Sequence, residues 1–351
     1  MSRQLTKLLI ASLLYAAFAV YLYQPPHAVI VAGAVFSALG CFILSRRWVG
    51  AFAASLIAGA IYGFGPYSLW LAGYHCSVVA LAAAVPWLFL PAARVPLLGK
   101  WRLLSWPLSV LPFAAIILFF EITTRCRLFA LPIQTRLNLS DLTSLFAPLI
   151  AARQHSIVIG FYHVPLACLL MGAMMLVAAR RFAVFLIFAI GTLPAFLPPV
   201  GNTSPIIWLT IPTLCCSIII GAGFQGLVQA GYADRKWLLA VSAVMAILAT
   251  ATVFAASRQL GNLAGLFAPP CYGGALRSDE SSGPLILTSQ MYILSAVVTS
   301  VIAFIACLKL RLVRLRRGAS PRRVGLRIAV LFVAIVIDIF FSSAGVRLGN
   351  P

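Results

Sequence analysis

Acidic side chains are scarce: the chain has 6 Asp and Glu in 351 residues, against 26 Lys and Arg. Only 9% of residues are charged, where a soluble domain carries about a quarter. That shortage excludes a water-soluble globule. Metal-ligating patterns are missing too: there is no H-E-x-x-H, no paired-carboxylate motif and no C-x-x-C among the 8 cysteines. A zinc protease, a metal cluster or a dithiol redox centre would have nothing to be built from, so no metal ion and no cofactor is expected. Nucleic acid is excluded as a partner as well. The net charge of +20 sits in short clusters between apolar runs rather than along one polar face.

What fills the chain is apolar, at 62% of residues and a mean hydropathy of +1.04. With spans of roughly 17 to 25 residues as the ruler, candidate helices fall at 8–23, 27–45, 48–64, 76–90, 103–120, 156–178, 182–197, 206–230, 237–257, 285–308 and 326–341. The expected fold class is all-α: a polytopic helical membrane bundle of about 11 transmembrane helices, forming a single integral membrane domain over residues 1–351.

Charge then sets the orientation. Residues Lys309 to Arg327 carry 8 Lys or Arg and no acid between two apolar stretches. Such a block is costly to move across a bilayer and marks a cytoplasmic loop. Alternate connections on that side hold 19 of the 26 basic residues, and the other side holds only Arg125, Arg127, Arg136, Arg153, Arg258, Arg277 and Arg347. This places the N-terminus inside and the C-terminus outside, and a bacterial inner membrane is the expected location. Lys309, Arg311, Arg314, Arg316, Arg317, Arg322, Arg323 and Arg327 are the expected contacts to anionic lipids at the cytoplasmic face. Arg3 and Lys7 before Leu8 to Ala16 resemble a signal peptide. The apolar run continues through Val20 to Tyr23, past the cleavage point, which favours an uncleaved anchor.

Within the spans, Ala51, Ser55, Gly59 and Gly63 recur every four residues and predict an internal packing face. Pro107 and Pro112 predict kinks in the fifth span. Gly221-Ala222-Gly223-Phe224-Gln225-Gly226 matches G-x-G-x-x-G, but it lies inside an apolar span with no strand before it. A dinucleotide site is refused on that context; close helix packing is expected, with Gln225 and Gln229 facing the bundle interior.

Two outer connections are long, 121–155 and 258–284. Loops of that length are functional or disordered, and the first is expected to carry an interfacial helix around Leu139 to Ile150 with Asp141 near its start. The two share a phrase, Asp141 to Pro148 against Asn262 to Pro269, identical at 5 positions. Cys126 and Cys271, one per loop, are candidates for a disulfide in an oxidising compartment. His27, His75, His155 and His163 all fall at or near the outer surface on this segmentation, as do the acids Glu121, Asp141, Asp279, Glu280 and Asp338. Asp338 lies within the last span. A carboxylate there must be paired or wet, and Arg125, Arg127 and Arg347 are the expected partners. Asp338, Glu121 and Asp141 are thus the candidate catalytic acids, and Arg125, Arg127 and Arg136 the candidate anion-binding residues.

The order of features over residues 144–226 resembles a known family. An L-F-x-P outer loop at Leu145 to Pro148 is followed by a helix ending in Arg180 and Arg181. A second helix, the turn Pro198-Pro199-Val200-Gly201 and a long helix ending Gly223-Phe224-Gln225-Gly226-Leu227 complete the series. This is similar to bacterial multispanning glycosyltransferases of the GT-C type. The resemblance implies work on polyprenyl-linked sugars from the outer face, with an essential acid in the first outer loop. Here that connection is Gln24-Pro25-Pro26, without an acid. Either another outer acid serves, or the chain is an inactive scaffold relative. Three functions stay open. A structural or assembly subunit of a membrane complex needs least from so few ionisable groups and leads, with other membrane subunits as partners. An outward-facing transferase acting on lipid-linked sugars is the alternative, and a small-solute or lipid transporter is the second.

Overall fold

The computed structural model describes residues 3–23, 28–49, 51–72, 76–94, 105–126, 136–153, 156–199, 203–257, 278–313 and 321–349. Among these the chain is helical, with no strand. A bilayer leaves a backbone few alternatives, because each N–H and C=O inside it must be satisfied within the protein. The α-helices are α1 (Arg3–Leu22), α2 (Ala28–Trp48), α3 (Phe52–Phe64), α4 (Pro66–Ala72), α5 (Cys76–Arg94), α6 (Ser105–Ser109) and α7 (Leu111–Arg125). They continue as α8 (Pro148–Arg153), α9 (His163–Ala178), α10 (Ala183–Phe196), α11 (Thr210–Gln229), α12 (Arg235–Ser257), α13 (Ser278–Val313) and α14 (Pro321–Gly349). Short 3-10 helices occupy Leu139–Leu145 and Pro205–Leu209.

Among the described residues 8 helical stretches are long and apolar enough to cross a membrane, and Ser77–Ala93, His163–Ala178 and Ala183–Phe196 are shorter apolar helices. The protein is therefore a multi-pass integral membrane protein. The three shorter helices lie where the expected spans 76–90, 156–178 and 182–197 fall. In the second of these, residues 156–162 are non-helical, so α9 starts only at His163.

Two compact units divide the chain. The first combines Met1–Asn138 with Arg181–Gly221. In its core α1, α2 and α3 meet around Tyr15, Ala34, Ala38 and Phe64. The small-residue stripe is the device that lets them approach: a Cβ on Gly63 would stand 2.8 Å from the Ala34 carbonyl, and one on Gly59 would collide with the Tyr15 hydroxyl. That face is internal, as the spacing predicts. Proline effects are also answered locally. Pro86, inside α5, deprives the Ala82 carbonyl of its helical donor, and the Tyr62 hydroxyl donates to that carbonyl at 2.7 Å. The fifth span is not a single kinked helix. It breaks at Val110 into α6 and α7, with Pro112 in the first turn of α7, where its missing N–H has no helical acceptor to lose.

The second unit combines Leu139–Arg180 with Ala222–Pro351. Here α12 and α13 pack along each other, and α9 lies against α12, α13 and α14. Gly223 of α11 rests directly on α9, where a Cβ would overlap the Cys168 carbonyl. The G-x-G-x-x-G pattern is thus helix packing. The two glutamines depart from expectation: Gln229 is exposed and Gln225 half-buried, bonded to each other at 3.4 Å. The glycines take the close contact, which turns the longer polar side chains of the same helix away from it.

Candidate functional site

In the second unit a buried acid, a histidine and a tyrosine come together. Asp338, on α14, is fully buried. Its Oδ2 accepts the backbone N–H of Val164 at 2.7 Å, and its Oδ1 stands 3.2 Å from Nδ1 of His163. Both residues open α9, whose N-cap, Tyr162, supplies no side-chain cap. Helices begin with orphan N–H groups and a partial positive charge. Pro165 removes one of those donors, and Asp338 takes another from across the unit. The acid therefore caps α9 from a different helix.

Tyr292 of α13 completes the cluster. Its ring stands edge-on to His163, with centroids 4.5 Å apart and planes at 87°. Its hydroxyl donates to the Phe146 carbonyl, in the loop between the 3-10 helix and α8. The same loop is held from within: Ser144 Oγ donates to the Asp141 carbonyl at 2.7 Å and accepts the Ile159 N–H at 3.3 Å. Residues 158–162 are buried although non-helical, and the Ile159 N–H among them is bonded inside the protein.

A second charge on α14 mirrors the first. Nη1 of Arg327 donates to the carbonyls of Val228 and Ala230, at 3.1 and 2.9 Å, where α11 ends. Eleven residues of helix separate Arg327 from Asp338, about 16 Å at 1.5 Å per residue. Each meets a helix terminus of opposite partial charge, the acid at the start of α9 and the base at the end of α11. Arg327, expected among the lipid contacts, is instead buried.

The other expected site residues scatter. Glu121 and Arg125 form an i,i+4 ion pair at 2.8 Å on α7, with side chains 37% and 77% exposed. Asp141 is buried in the first turn of its 3-10 helix. The single interfacial helix expected around Leu139 to Ile150 is instead a 3-10 turn and the separate α8, divided before Pro148. Arg136 is exposed, and so is Cys126, at the end of α7. Arg127, Cys271, His27, His75, His155 and the repeated phrase at 262–269 lie outside the described residues. Lys309 and Arg311 fall in the last turns of α13, Arg322 and Arg323 in the first turn of α14, and Arg314, Arg316 and Arg317 outside the described residues. Among the described side chains Asp338 meets a histidine and a backbone amide; Arg127, one of its expected partners, lies outside the described residues.

His163 is the site residue that sequence reasoning missed. The usable signal is that Asp338 needs a partner inside an apolar span, and that His163 lies within the span expected over 156–178. Among the described residues no group of three or more His, Cys, Asp or Glu could hold a metal ion. One carboxylate beside one imidazole can instead orient the ring and hold or move a proton. Comparison with protein-family models, with curated proteins and with solved structures finds no match for this chain.

Proposed function

We propose that this integral membrane protein is a structural or assembly subunit of a membrane complex, contacting its partner through α10. The observation that supports this reading is the shape and cover of that helix. Its 14 residues reach only about 21 Å, short of a hydrocarbon core of about 30 Å. Gly191 and Ala195 are its buried residues, while Phe182, Leu186, Ile190, Leu193 and Leu197 along this segment are 44–62% exposed. A short apolar helix relieves its mismatch by thinning the bilayer or by oligomerising, and a broad uncovered apolar face suits the second. The chain crosses a bacterial inner membrane about 11 times, N-terminus inside and C-terminus outside. The basic block 309–323 lies against anionic lipid at the cytoplasmic face.

Purification in mild detergent from the native membrane tests the reading. A stoichiometric membrane-protein partner is expected, lost on Ile190→Trp with the chain still expressed. A chain that purifies alone, in native form, overturns it. The second reading, an outward-facing transferase of the GT-C type, is favoured by one observation: Asp338 sits buried against a histidine within the last span. A bound polyprenyl lipid in the same purification supports that reading instead.

A further inference from the structure

We infer that His163 is a proton-binding site, in which Nε2 accepts a proton delivered by water while Asp338 holds the opposite side of the ring. The inference is independent of any partner on α10. With Asp338 as the carboxylate, which can only accept hydrogen bonds, the 3.2 Å approach of its Oδ1 places the hydrogen on Nδ1. In the neutral ring that leaves a lone pair on Nε2. This atom is buried and has no hydrogen-bond partner, on a side chain that is fully buried. An unsatisfied polar atom in an apolar interior is costly and calls for an explanation such as a water or a working role.

Two further groups of the same kind accompany it. The hydroxyls of Ser295 and Ser342 are buried and also without a partner. Ser295 lies three residues beyond Tyr292 on α13, and Ser342 four beyond Asp338 on α14. Residues at those spacings share a helix face. α13 and α14 therefore each carry such a hydroxyl on the face that bears Tyr292 or Asp338. Several polar groups lacking protein partners in an otherwise apolar surround are what an internal water needs.

The charge balance closes. With the ring neutral the pair carries one negative charge, on Asp338. When a hydronium O–H bond breaks and an N–H bond forms at Nε2, water departs and imidazolium faces carboxylate, so the pair becomes neutral overall. No oxidant or co-reactant is needed. Among the described residues, Tyr292 on α13 and Cys168 on α9 interact electrostatically with Asp338. The remaining charged residues on the packed elements are Asp141 on the 3-10 helix, Arg153 at the end of α8, Arg235 and Lys236 at the start of α12, Asp279, Glu280, Lys309 and Arg311 toward the ends of α13, and Arg322, Arg323, Arg327 and Arg347 on α14.

The test uses the full chain in lipid nanodiscs, with His27, His75 and His155 replaced by Gln and the remaining histidine labelled with nitrogen-15. Its two ring-nitrogen signals are followed from about pH 5 to pH 9. Nδ1 is expected to stay protonated throughout, while Nε2 passes from the unprotonated to the protonated range as pH falls. Asp338→Asn in the same background is expected to release Nδ1 and give a mixture of tautomers. A ring that stays in one state across the range overturns the proposal, and so does a neutral ring with its hydrogen on Nε2. If Asp338→Asn does not fold, the pH series on the single-histidine chain decides alone.

Discussion

Asp338→Ala removes one side chain and strands two buried donors. The Val164 N–H, bonded at 2.7 Å, and Nδ1 of His163, at 3.2 Å, both lose their acceptor in a region closed to solvent. Each donor left unsatisfied costs about 1 to 3 kcal/mol, and removing one member of a buried pair costs about 3 to 5 kcal/mol. A loss of about 3 to 5 kcal/mol is therefore expected, read as a shift in SDS-driven unfolding in mixed micelles followed by tryptophan fluorescence. Asp338→Asn keeps the volume and one acceptor oxygen, and it should lose roughly half as much. His163→Ala combined with Asp338→Ala should cost less than the two singles together, by about 0.5 to 3 kcal/mol, because they share one interaction. An Asp338→Ala protein within about 0.5 kcal/mol of the parent refutes the reasoning, as does a strictly additive cycle.

Gly223→Ala drives a methyl into the Cys168 carbonyl on a neighbouring helix and should cost about 1 to 3 kcal/mol; Gly231→Ala, with open space around it, serves as the near-neutral control in the same unfolding assay. Tyr62→Phe should cost about 1 kcal/mol by releasing the Ala82 carbonyl. Its cost should shrink in a Pro86→Ala background, where residue 86 regains the N–H that reaches that carbonyl; equal costs in both backgrounds would break the account. A topology reporter fused at Gly318 should be active only in its cytoplasmic form, and activity only in the extracytoplasmic form would invert the orientation.

Helix content was legible because the bilayer rule is strict: long apolar runs have almost no alternative to helix. Each of the 11 apolar runs read from sequence falls on helical structure, yet among the described residues 8 stretches meet the length and hydropathy of a span. The difference comes from local chemistry. Non-helical backbone at 156–162 shortens α9 from its start, and Leu197 to Pro199 close α10. The Ser55, Gly59 and Gly63 face could be read because small residues at four-residue spacing have one main use in lipid. Partners of buried charges could not be read. Asp338 was identifiable as an acid in need of a partner, but its nearest neighbours are 174 and 175 residues away in the chain, at Val164 and His163. One of them is a backbone amide, which leaves no trace in residue type. Arg327 misled for the opposite reason, since it belongs to a basic cluster whose composition describes a lipid contact while its own side chain serves two carbonyls.

The two buried charges of α14 also bear on how such a bundle holds together. Helices in lipid gain little from burying apolar surface against one another, so packing and polar contacts must supply the association. The ends of α9 and α11 would present unsatisfied amides and carbonyls wherever they stop inside protein. An acid on α14 meets the first and a base the second, with signs that match each helix dipole. Two helix termini thus take up an aspartate and an arginine in the same unit. Once Asp338 is committed to the α9 terminus, the ring it orients is left with one nitrogen that no described residue satisfies. The architectural role of the acid and the chemical freedom of His163 thus follow from the same pair of hydrogen bonds.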